Sequence, residues 1–208
     1  LVAAYDLLQS TYLNAMLGEI ASDNTLCGGE NPTDVIGFQQ IDDMIHTPVN
    51  SNLKNLWDFM FAGVQRANYI LEFKDKTDFE GKNQIIAEAR FLRAYYHFEL
   101  VKWFGGIPMK GDARFKLGDE KTIPRSSVAE VYASIEADLT FAIANLSPLT
   151  ATTQKGRITK GAAQALLGKA YLYQNKFTQA AATLEGLIST SPYSLVSDYN
   201  SIFEMDGE

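Results

Sequence analysis

The sequence predicts an all-α protein of antiparallel helix pairs joined by long irregular loops. Three observations predict it. Apolar residues recur at three- and four-residue steps through most of the 208 residues. Clusters of Gly, Pro, Asn and Asp interrupt that recurrence at intervals. No convincing run of alternating apolar and polar residues, the mark of a half-buried strand, occurs anywhere.

Each element follows from its own spacing. Residues 3 to 21 place Leu7, Leu8, Tyr12, Ala15, Met16 and Ile20 on one stripe, which predicts a first helix. From Ser22 to Asn52 the pattern dissolves into residues that make turns, so 22–52 is expected to be a long loop insertion, and ordered loops of that length commonly carry function. Helical spacing resumes with Leu53, Leu56, Trp57, Met60, Val64 and Ala67, with Ser51 or Asn52 expected as the cap. The stretch "AEARFLRAYYHFELVKWFGGIPM" lies in a helix expected from Lys82 to Phe104, stopped by Gly105, Gly106 and Pro108. Its Ala89, Leu92, Tyr96 and Leu100 form one apolar face and Phe91, Tyr95, Phe98 and Val101 a second, so neighbouring helices should cover it on two sides. After a turn-rich connector, Ser127 stands three residues before Glu130, a capping box that opens a helix with Val128, Val131, Ile135, Leu139, Ala142 and Leu146 on one face. A polar linker at 147–157 leads to helices at about 159–174 and 176–190, and the closing segment reads as loop with one turn.

The last helix pair fits the 34-residue tetratricopeptide pattern, in which small and large residues alternate so that two helices approach closely and stack on the next pair. Leu167, Gly168 and Tyr171 stand on its first helix, Ala180, Leu184 and Leu187 on its second, and Pro192 closes the unit, so 159–192 is the best repeat. The expected Trp position holds Gln164 and a later small position holds Leu187.

Composition removes several function classes. A net charge of −7 leaves no basic stripe to displace phosphate counterions, which argues against nucleic acid and against binding to anionic lipid. Apolar runs fall far short of the ~20 residues of a spanning helix. Cys27 is the single cysteine, with no second thiol for a disulfide and no histidine beside it for metal, so it reads as a plain thiol. Neither a cofactor nor a metal is expected.

No catalytic constellation emerges. His97 sits among Tyr95, Tyr96 and Phe98, where a histidine is expected to be a hydrogen-bonded core residue, and His46 lies in the long loop. Asp42 with Asp43, or Glu88 with Glu99, could pair for glycoside hydrolysis but read more simply as solvated or salt-bridged. Recognition suits the loop better. Aromatic rings pack on the C–H faces of sugars, while amides and carboxylates match hydroxyl groups. Asn24, Phe38, Gln39, Asp42 and Asn50 are the candidate ligand residues, with Asn31, Gln40, Asp43 and Asn52 of the same chemistry. The competing use of such residues is to satisfy their own loop backbone.

Four segments in order, "LWDFMFAGVQRANYILE", "AEARFLRAYYHFELVKWFGGIPM", "IPRSSVAEVYASIEADLTFAIANL" and "GRITKGAAQALLGKAYLYQNKFTQAAATL", resemble the SusD/RagB family of glycan- and nutrient-capturing outer-membrane lipoproteins. The resemblance runs from about residue 53 onward and more loosely through "GEIASDN" before it. It implies a SusD-like α/α superhelix of tetratricopeptide-like helices, a non-catalytic oligosaccharide- or polysaccharide-binding subunit, and a SusC-like TonB-dependent outer-membrane transporter as partner. It also implies surface exposure through an N-terminal lipid anchor outside this sequence, since Cys27 stands in the wrong context to be the lipidated cysteine. Family members are longer, so residues 1–208 are expected to be the N-terminal helical part, without the family's C-terminal half. No binding residue transfers by motif. The alternatives are a tetratricopeptide-type scaffold for a protein partner, or capture of a peptide or other nutrient.

Overall fold

The computed structural model describes residues 1–31, 33–150, 154, 156–190 and 192–203, and only the backbone of Ser10 and Thr11. Part of the expected linker at 147–157 and the end of the closing segment lie outside the described residues. Among the described residues the regular elements are helices, with one isolated antiparallel bridge between Pro108 and Arg125. The all-α expectation is met.

The first expected helix is broken. Helix α1, Val2–Asp6, passes into a 3-10 turn at Leu7–Ser10 before α2, Thr11–Ile20. Ser and Thr compete for backbone groups and favour such interruptions. The break rotates the stripe, so Leu17 and Ile20 are buried while Tyr12, expected inside, is 76% exposed.

Helix α3, Ile36–Asp42, lies inside the segment read as loop. Helix α4, Ser51–Glu72, is capped by neither expected residue but by Asn50, whose side chain accepts from the amides of Asn52 and Leu53. Helix α5, Lys82–Phe104, has the expected bounds, and α6, Val128–Asn145, carries the full capping box of Ser127 and Glu130. Helices α7, Lys160–Tyr173, and α8, Phe177–Thr190, form the last pair, closed by a short turn at Gln174–Lys176.

Contacts run in chain order from α4 through α8, and α5 also touches α7, as stacked helix pairs require. Their direction is fixed by side-chain partners. Trp57 meets Phe104 while Asn68 meets Arg93, so α4 and α5 are antiparallel. Phe98 meets Tyr132 while Gln84 bonds Ser147 just beyond α6, so α5 and α6 are antiparallel too. Helix α5 is fully buried on its first expected face, with Leu92, Tyr96 and Leu100 at most 1% exposed, and in part on its second, where Phe98 and Val101 are buried but Phe91 and Tyr95 only half-buried.

Arg93 ties three helices and the connector together. Its guanidinium grips the Asp138 carboxylate at 2.7 and 2.8 Å, and its remaining nitrogen reaches Asn68, Asp112 and the Gly111 carbonyl at 2.8 to 3.0 Å. Burial pushes the Asp112 carboxyl up, but hydrogen bonds from Lys74 and Arg93 outweigh it and hold the group below the usual carboxylate range. Gln65 exchanges two hydrogen bonds with the Phe115 backbone and holds the connector further along. His97 is buried as expected, yet neither ring nitrogen meets a hydrogen-bond partner among the described residues.

Candidate functional site

Because α4 and α5 are antiparallel, the first turns of one lie beside the last turns of the other. The segment 41–48 folds against that end. Between them lies a groove of about 740 Å³. Helix α4 contributes Leu53, Lys54 and Trp57; α5 contributes Lys102, Trp103 and Phe104; the loop contributes Ile41, Met44, His46 and Thr47. Both tryptophans of the chain line it.

The rings are set by their neighbours. Trp57 packs edge-on to Phe104 with centroids 5.0 Å apart, and tilted on Phe61 at 4.5 Å. The Trp103 indole N–H donates to Asn14 Oδ1 at 2.7 Å. Asn14 in turn donates to Glu99, which also pairs with Lys102 at 2.8 Å. Glu99 is almost wholly buried, so α2 and α5 together hold the Trp103 ring plane.

The loop wall is held by polar bonds to its own backbone. Asn50 is buried, and beyond its capping bonds its amide N–H groups donate to Gly37 O at 2.8 Å and Gln40 Oε1 at 3.2 Å. Asp42 accepts the Cys27 amide at 2.7 Å. Asn31 accepts from the Thr33 amide and hydroxyl. Phe38 packs half-buried against the core, Gln39 is half-buried on α3, and Asn24 is exposed just past α2. Val35 and Met44, at φ 43° and 56°, bracket α3 in the left-handed region that bulky side chains rarely adopt. The Cys27 thiol is pushed up in pKa by desolvation and by Asp42, Asp34 and Asp43, which keeps it protonated and unreactive.

None of Asn24, Phe38, Gln39, Asp42 or Asn50 lines the groove. The loop lends their neighbours instead. Sequence reasoning treated Trp57 as part of a core stripe and left Trp103, Lys54 and Lys102 unmarked. The available signal was positional, since Trp57 stands in the second turn of its helix and Trp103 in the last turn of the antiparallel neighbour. Lys54 is exposed and, among the described residues, pairs with Asp58 one turn on, a weak surface pair that a ligand can displace. Among the described residues no cluster of His, Cys, Asp and Glu could hold a metal, and no helix is long and apolar enough to cross a membrane. The groove can stack apolar faces and hydrogen-bond through His46, Thr47 and Lys54.

Comparison with known proteins places this geometry. A SusD-like family model described as "Starch-binding associating with outer membrane" matches residues 4–172. The chain belongs to the SusD-like family. SusD-like protein P38 of Formosa agariphila is 29% identical over 203 residues, covering 95% of this chain and 38% of its own length. A SusD-like protein of Bacteroides ovatus is 27% identical over 175 residues, 76% of this chain and 31% of its own. This chain therefore spans about a third of the curated relatives it matches. Among solved structures, a laminarin-binding SusD-like protein superposes with TM-score 0.88 and 31% identity over 100% of this chain and 48% of that one. Surface glycan-binding protein A from Bacteroides uniformis gives 0.86 and 26% over 99% and 48%. The tetratricopeptide-like superhelix expected from the sequence is the fold of these proteins.

Proposed function

We propose that this chain is the helical portion of a non-catalytic glycan-binding subunit, anchored at the outer-membrane surface by an N-terminal lipid and working with a SusC-like TonB-dependent transporter. The observation that carries the reading is the groove itself, where both tryptophans and Phe104 converge at one end of the α4–α5 pair beside a polar loop. Indole and phenyl faces suit the C–H faces of pyranose rings, and His46, Thr47 and Lys54 suit their hydroxyl groups. Support also comes from the laminarin-binding relative, whose fold this chain shares over its whole length.

The ligand residues we propose are therefore Trp57, Trp103, Phe104, His46 and Lys54, with the loop of residues 22–52 as the wall that orients them. Native affinity electrophoresis in gels containing laminarin, xyloglucan or starch tests this. Retardation by at least one polysaccharide is expected, and it should be lost in Trp57→Ala. Free migration in all three gels would overturn the reading.

A further inference from the structure

A second concavity, of about 430 Å³, lies on the connector side of α4 and α5 and is lined by Trp57, Phe104, Gly106, Pro108, Ile123 and Arg125. Trp57 and Phe104 also line the first groove, so the two spaces flank one ring pair. The planes of that pair cross at 83°, which presents ring surface in two directions. We propose that this concavity is a further saccharide subsite and that a single glycan chain crosses the Trp57–Phe104 pair with sugar units on both sides. The inference rests on the glycan-binding reading above.

Arg125 supplies the polar half of the subsite. Its Nε donates to the Gly106 carbonyl at 2.6 Å and its Nη2 to the Phe104 carbonyl. These two bonds fix the fork, and among the described residues Nη1 makes no hydrogen bond and keeps its two donors. A planar guanidinium held in this way on a lining shared with two aromatic rings offers donors to adjacent sugar hydroxyl groups, while the rings take the C–H faces. The local backbone is built for this closeness. Gly105 sits at φ 69°, a conformation that favours glycine, and a Cβ on Gly106 would fall 2.1 Å from the Ser126 carbonyl oxygen, so the returning connector can touch the chain at Gly106 only without a side chain there. The Ser126 amide donates to Ile107 O at 3.0 Å and completes the brace. Gly-Gly-Ile-Pro, read in the sequence as a helix stop, thereby also holds Arg125 on the lining it shares with the ring pair.

Isothermal titration with the tri- and hexasaccharides of laminarin tests the proposal. The hexasaccharide, long enough to cross the ring pair, should bind the wild-type protein about tenfold more tightly than the trisaccharide, the equivalent of one stacking or fork contact. Ile123→Trp, which fills the connector-side space from an exposed segment, should bring the hexasaccharide down to trisaccharide affinity and leave the trisaccharide unchanged. Arg125→Lys, which keeps the charge and loses the fork, should act in the same direction. Hexasaccharide affinity equal to wild type in both variants would overturn the subsite. Trp57→Ala separates the two levels: unaltered binding of both sugars in that variant would overturn the groove reading itself.

Discussion

His97 lies inside α5 with 4% of its surface exposed, and burial, with the nearby Arg93 charge, pushes its imidazole pKa down to about 3. In the unfolded chain the same group has a pKa of about 6.5. As pH falls, the unfolded state therefore takes up the proton first. The contribution of His97 to stability is full above about pH 6.5 and is lost progressively between about 6.5 and 3. At pH 5 the unfolded imidazole is about 1.5 pH units below its pKa, and at about 1.4 kcal/mol per unit the loss is about 2 kcal/mol. For a chain of this size that corresponds to about 4–8 °C in Tm. Since carboxylates also respond to acid, the measurement is a difference: urea unfolding at pH 7.5 and 5.0 for the wild type and for His97→Leu. The variant keeps similar volume, removes two buried nitrogens that meet no partner, and should be at least as stable at pH 7.5. It should also lose about 2 kcal/mol less than the wild type on going to pH 5.0. Parallel losses in the two proteins, or an NMR titration of the His97 ring near pH 6.5, would refute the argument.

Two further outcomes follow from close contacts. Gly63→Ala would set a Cβ 2.5 Å from ring carbons of Tyr96, whose hydroxyl is fixed on the Ala4 carbonyl at 2.7 Å, so overpacking of about 1–3 kcal/mol should outweigh the helix-propensity gain; thermal unfolding at an unchanged or higher Tm would contradict it. Asn14→Leu removes the acceptor of the Trp103 N–H and the donor to Glu99, so tryptophan emission should shift and glycan affinity fall about tenfold while the far-UV CD spectrum stays helical; an unaltered spectrum and affinity would show that the clamp does not set the ring.

What could be read from the residues differs by element for physical reasons. Helix α5 was legible because a long helix with apolar residues on two faces must be covered on both, and Gly105 with Pro108 forces its end. Helix α3 was not, because seven residues give too few turns to establish a period, and it starts from Val35 at φ 43°, a conformation that propensity assigns to other residue types. The candidate groove was legible only in its neighbourhood. Asn50 illustrates the difficulty: the amide chemistry that suits a sugar hydroxyl also suits a helix cap and a loop carbonyl, and here it serves Asn52, Leu53, Gly37 and Gln40. Residue type cannot separate those uses, because the same donors and acceptors satisfy both. Trp57 poses the converse case, since its large apolar ring reads as core until the antiparallel packing of α4 and α5 leaves it at an open end beside the loop. In a stacked-helix fold of this kind, rings near helix ends that face a long connection are where burial stays incomplete, and only the packing of the neighbouring helix shows which rings these are.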